Sequence, residues 1–114
     1  MTQLDYFFIF SLTVQIIHSL EEIFTGFNKK WYLFKMPLWV FLLFELIFSL
    51  FWIIVLVRNN FPYRIIFQEV FLILMFANGV QHIIWWGNVK KYVPGLITAH
   101  LHVLIFLVFY FNAI

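Results

Sequence analysis

Histidines and glutamates interrupt a stretch of the chain that is otherwise apolar. His18 precedes Glu21 and Glu22 by three and four residues. On a helix these spacings place the side chains on adjacent turns, within reach of one cation. Neutral imidazole and carboxylate groups are ligands for zinc, iron and manganese in proteins. The pattern therefore predicts a divalent metal site at His18 and Glu22, with Glu21 or Glu22 as a general base.

Three later apolar stretches carry further polar groups that can complete such a site. These groups are Glu45, Asn78, His82 and His102. Counted at 1.5 Å per residue from one common side, the depths are about 10 Å for His18, 5 Å for Glu22, 12 Å for Glu45, 8 Å for His82 and 11 Å for His102. We therefore expect all five to be metal ligands. Asn78 is expected to orient a ligand or to stabilise an oxyanion.

The composition identifies these stretches as membrane spans. Hydrophobic residues make up 65% of the 114 residues and charged residues 11%, with no cysteine and a net charge of +2. In soluble domains, roughly 45–50% of the residues are apolar and about 25% are charged, so we exclude a soluble domain. A net charge of +2 provides too few basic residues for a nucleic-acid partner. Four runs, at about residues 4–24, 37–57, 63–86 and 94–112, are long enough to span a bilayer as helices. The short breaks between them predict an all-α membrane protein, an antiparallel four-transmembrane-helix bundle forming a single domain over residues 1–114.

Basic residues in the breaks predict the orientation. One side carries Lys29, Lys30, Lys35, Lys90 and Lys91, and the other carries Arg58 and Arg64. The lysine-rich side is expected in the cytoplasm, which places both termini outside. Phe, Ile, Asn and Lys are abundant, which favours an AT-rich bacterial genome. We therefore expect the protein in a bacterial cytoplasmic membrane. Glu69 lies toward the opposite side of the membrane from the predicted metal site and is expected to pair with Arg64 or Gln68.

Three motifs resemble those of a known family. His18-Ser19-Leu20-Glu21-Glu22 is similar to its His-x-x-Glu-Glu signature. The segments 78–82 and 92–95 match its Asn-x-x-x-His and Tyr-x-Pro-Gly motifs. The chain thus resembles the HXXEE family of small membrane proteins. Because that family is defined without an assigned function, the resemblance implies positions but no reaction, and Glu45 and His102 lie outside its motifs.

Several functions are compatible with this pattern. The leading hypothesis is a membrane-embedded metalloenzyme that acts on a membrane lipid or other apolar substrate, either as a zinc hydrolase or as a di-metal iron or manganese oxidoreductase. The alternatives are a small dimeric proton-coupled transporter of the multidrug type, a haem-binding protein and a non-catalytic assembly subunit held together by its polar cluster. A homo-oligomer is compatible with each of them.

Overall fold

The computed structural model describes residues 1–113, which form five helices joined by short loops. They are α1 (Gln3–Thr25), α2 (Phe27–Lys30), α3 (Leu38–Val57), α4 (Arg64–Val89) and α5 (Leu96–Ala113). All but α2 are long and apolar enough to cross a membrane. The predicted all-α bundle of an integral membrane protein is therefore confirmed.

Local sequence determines where the helices begin and end. The Thr2 hydroxyl accepts a hydrogen bond from the Asp5 amide, and the Asp5 carboxylate accepts one from the Thr2 amide, which makes a capping box. Gly26 ends α1 in the left-handed region, at φ 82°. Two details differ from the prediction: residues 27–30 form a helical turn, and α4 continues to Val89. A glycine such as Gly87 costs a helix only about 1 kcal/mol, so it does not end α4.

Two apolar clusters lie at opposite ends of the bundle and leave a polar layer between them. One cluster consists of Phe8, Leu12, Trp52, Val55, Phe71 and Met75, and the other of Phe27, Phe41, Trp85, Val93 and Leu96. Along α1, His18 and Glu22 come after Leu12 and before Phe27. Helices α1, α4 and α5 pack against one another, whereas α3 packs chiefly on α1. The polar residues are thus held between helices rather than toward lipid.

A separate polar network joins three helices at the far end. Asp5 accepts hydrogen bonds from Arg64 Nη1 and Gln68 Nε2, both at 2.8 Å. Arg64 also donates to the carbonyls of Val55 and Leu56, the last turn of α3. Arg64 therefore links α1, α3 and α4 and satisfies carbonyls that a helix end leaves free. The expected pairing of Arg64 or Gln68 with Glu69 is wrong, because the buried Asp5 carboxylate takes both donors.

Candidate metal centre

Three side chains from two helices direct ligating atoms toward one point. His18 and Glu22 lie one turn apart on α1, and α4 supplies His82. Glu22 Oε2 is 3.5 Å from His18 Nε2 and 3.3 Å from His82 Nε2. One ligating atom of each residue lies within 4.8 Å of the other two, and all three residues are buried. Three of the five residues that the sequence predicts as ligands are therefore neighbours in the structure.

The spacing of these atoms is compatible with a metal ion. His82 Nε2 makes no hydrogen bond to any described residue, although Glu22 is 3.3 Å away, and His82 Nδ1 and His102 Nδ1 likewise make none. Buried polar atoms are nearly always satisfied, so His82 Nε2 is open to a further partner. Ligands placed about 2.0–2.2 Å from a tetrahedral ion lie roughly 3.3–3.6 Å from one another. The two distances to Glu22 match this separation, and the residues present therefore fit a divalent cation.

A hydroxyl group determines which nitrogen of His18 carries the proton. Thr98 Oγ1 donates to Glu21 Oε1 at 2.7 Å and lies 2.6 Å from His18 Nδ1. Because a hydroxyl has a single proton, Thr98 must accept from Nδ1–H of His18. The Nε2 atom then keeps its electron pair on the side of Glu22, as a metal ligand requires.

Asn78, on α4, contacts the Nε2 atom of His18. Its Nδ2 lies 3.2 Å from His18 Nε2, and its Oδ1 accepts from Gln81 Nε2 at 3.0 Å. This orientation of the amide again makes Nε2 an acceptor. Asn78 therefore reaches the candidate site, but it competes with a cation for the electron pair of His18. Its predicted roles toward a ligand or an oxyanion remain predictions.

Glu21 is committed to the start of α5. Its carboxylate accepts hydrogen bonds from the backbone amides of Ile97 and Thr98, at 3.1 and 3.0 Å, and from the Tyr92 hydroxyl. Partial burial, together with the contact to Glu21, raises the pKa of Tyr92, so the hydroxyl keeps its proton and donates. The carboxylate thus caps α5 and lies outside the three-residue group. The sequence contains a signal for this role. Pro94 and Gly95 precede α5 and have no side chain that can cap a helix, so the cap must come from another residue.

Glu45 and His102 lie at the two ends of a second hydrogen-bond chain. Ser19 Oγ donates to Glu45 Oε2 at 2.5 Å, Gln15 Nε2 donates to Ser19 at 3.4 Å, and Gln15 Oε1 lies 3.0 Å from His102 Nε2. The structure brings both predicted ligands into the polar layer but not into the group of His18, Glu22 and His82. Sequence reasoning gave Ser19 no role, although it follows Gln15 by one helical turn.

Gly95 closes the site from the loop before α5. It adopts φ +86°, a conformation that side chains other than glycine rarely take. A Cβ atom built there would lie 2.7 Å from Cε1 of both His18 and His82, and 3.0 Å from Glu22 Cγ. The backbone of residue 95 thus packs directly on all three candidate ligands.

A cavity of about 460 Å³ adjoins the site between α1, α3 and α4. Glu22 belongs both to the ligating group and to the cavity wall, and Gln15, Glu45, Asn78 and Gln81 are the other polar wall residues. The remaining wall is apolar and mostly aromatic. Its volume lies within the range of about 300–1,000 Å³ found for small-molecule sites.

All three sequence motifs meet at this site. The first supplies His18, Glu22 and the cap Glu21, the second supplies Asn78 and His82, and the third supplies Gly95 and the Tyr92 hydroxyl. Residues 9–110 match the family model described as a protein of unknown function with HXXEE motif. Neither the curated proteins nor the solved structures contain a significant match. With nearly its whole length matched, the chain belongs to the HXXEE family.

Proposed function

We propose that this protein is a membrane-embedded, metal-dependent enzyme that acts on a lipid or other apolar substrate. His18, Glu22 and His82 would hold one divalent ion. The observation that carries the proposal is the convergence of three buried ligating atoms while His82 Nε2 lacks a hydrogen-bond partner. Three protein ligands leave a coordination position open, as catalytic sites do. With this ligand set, zinc supplies water activation for hydrolysis and iron supplies redox chemistry.

The geometry favours one ion over two. A second ion would need ligands beyond the three, and Glu45 and His102 are the nearest candidates from the sequence. Glu45 accepts from Ser19, and His102 contacts Gln15. One atom of each is thus engaged with α1, and although His102 Nδ1 makes no hydrogen bond to a described residue, neither residue belongs to the group of three, so the di-metal form of the hypothesis has less support.

Two other functions fit the geometry less well. The ring centroid of His18 lies 4.8 Å from that of His82 and 5.3 Å from that of His102. Both distances are too short for a porphyrin to lie between the two rings. A dimeric exporter built on Glu22 would need that carboxylate free to bind and release protons or cargo. Its Oε2 instead lies 3.5 and 3.3 Å from nitrogens of two histidines of its own chain.

Metal content tests the centre directly. We expect protein purified without a histidine tag to bind about one zinc per chain, measured by elemental analysis after dialysis against zinc. His82→Ala should lose that ion because only two ligands remain. His100→Ala is the matched control, since His100 is exposed, hydrogen-bonds the carbonyl of Leu96 on its own helix and does not belong to the group of three. A wild-type chain that binds no zinc, or a His82→Ala chain that binds it fully, would refute the centre.

Lipid turnover tests the enzymatic part. Metal-loaded protein is incubated with a bacterial lipid extract, and the products are followed by mass spectrometry. We expect a species that accumulates with the wild-type chain and not with His82→Ala. Identical product profiles for both would contradict an enzyme acting on these lipids, even where zinc binding is intact.

A further inference from the structure

The cavity beside the candidate metal centre has a mainly apolar wall with a few polar side chains, one of which is Glu22. We infer that it binds a single-chain amphiphile with an uncharged polar head, the head at Glu22 and the hydrocarbon chain along α3. This inference rests on the proposed function for the identity of the cation at the head end. It goes beyond that function by assigning the chemical class of the substrate.

The composition of the cavity wall favours a hydrocarbon chain as the ligand. Aromatic side chains from two segments, including Phe41, Phe44 and Phe48 on α3, line one side, and Leu74 and Met75 on α4 line the other. Such surfaces have no hydrogen bond to offer, so they stabilise hydrocarbon by removing it from water or by replacing lipid contacts. At about 460 Å³ the cavity has room for one hydrocarbon chain.

The cavity wall also presents polar side chains. The amides of Asn78 and Gln81 and the carboxylates of Glu22 and Glu45 lie on it, and Asn78 and Glu22 also contact His18. These groups can donate to a carbonyl oxygen and accept from a hydroxyl or an amide N–H. A head group that both donates and accepts hydrogen bonds therefore matches this part of the wall.

Charge excludes the common anionic heads. No lysine or arginine lines the cavity in the part of the chain that the structure describes. The two carboxylates on its wall, Glu22 and Glu45, carry no more charge together than one divalent ion offsets. A phosphate head would thus enter the cavity without a basic partner, which is costly away from water. A cationic head would find no carboxylate beyond those that the ion offsets, and an uncharged head avoids both penalties.

Photolabelling tests the inference. The probes are dodecyl chains that carry a diazirine near the chain end and a hydroxyl, trimethylammonium or phosphate head. In lipid nanodiscs we expect the hydroxyl probe to label Met75 at least tenfold more than the phosphate probe does. The lipid-facing Leu104 on α5, which is 57% exposed, should be labelled alike by all three and serves as the internal control.

Tryptophan substitutions that fill the cavity provide a second test, with a matched control outside it. Val40→Trp and Leu74→Trp both place an indole in the cavity from different helices, and Val108→Trp places one on the outer face of α5. The first two should each lower labelling of Met75 at least tenfold and leave Leu104 unchanged, and the third should alter neither. Equal labelling of Met75 by hydroxyl and phosphate probes, or labelling that survives both cavity variants, would overturn the inference. Measuring the zinc content of the labelled wild-type protein separates the two proposals, because a wild-type chain that binds no zinc and still labels Met75 selectively refutes the metal centre alone.

Discussion

Replacing Gly95 with alanine is expected to abolish metal binding and to lower the stability of the protein. The left-handed backbone costs alanine roughly 1–2 kcal/mol. The new methyl group would also lie 2.7 Å from ring carbons of His18 and His82, a separation that atoms cannot sustain. Overpacking of this kind costs about 1–3 kcal/mol more. Because Cε1 is bonded to Nε2, any shift that relieves the clash moves the ligating atoms themselves.

Two other glycines provide the controls. Gly87→Ala adds a methyl group that meets no atom within 4 Å, and alanine favours a helix over glycine by up to about 1 kcal/mol, so stability and zinc binding should be unchanged or better. Gly79→Ala would press on the carbonyl of Ala99 at 2.6 Å, where α4 crosses α5. It should lower the melting temperature, and its nearest neighbours do not include His18, Glu22 or His82. Zinc titration and thermal unfolding in detergent measure all three variants, and full zinc binding by Gly95→Ala would contradict the packing described.

The sequence predicts the helices well because their ends have local causes. Pro37 and Arg58 border α3, and the predicted boundaries 37–57 differ from the observed helix by one residue. α4 ends later than predicted because its end depends on Lys90, which takes a positive φ of 59° without being glycine. No composition rule identifies such a residue in advance.

The site is predicted less completely because it depends on how helices are rotated and offset. Helical periodicity places His18 and Glu22 on one face, and the structure confirms this through their burial. Depth counting placed His102 level with His18, and their ring centroids are 5.3 Å apart, but the hydrogen bond from α5 to His18 Nδ1 involves Thr98, one turn earlier. The offset is set by the Pro94-Gly95 loop packing on the histidines, a contact between distant segments. The sequence selects Glu22 as a ligand but leaves the base open between Glu21 and Glu22, and the cap that Glu21 makes on α5 appears only in the structure.

Replacing Thr98 with valine is expected to weaken zinc binding about 10–100-fold while the bundle stays folded. Valine keeps the shape of threonine but removes the hydroxyl that accepts from His18 Nδ1–H and donates to Glu21. His18 then keeps only the Asn78 amide to favour a proton on Nδ1, so part of the population moves the proton to Nε2, and a protonated Nε2 cannot bind a metal. The backbone amides of Ile97 and Thr98 still bind Glu21, so the cap on α5 remains. The loss should therefore appear in metal affinity more than in unfolding.

Two measurements separate this positioning role from a merely structural one. The ¹⁵N signals of the His18 ring report which nitrogen is protonated, and we expect Nδ1–H in the wild type and a mixture in Thr98→Val. Thr98→Ser restores the hydroxyl and should recover most of the affinity. Thr13→Val is the matched control, because that exposed hydroxyl contacts only the carbonyl of Ile9. A Thr98→Val chain with wild-type affinity would mean that His18 adopts its tautomer without the help of α5, and the hydroxyl would then have no part in metal binding.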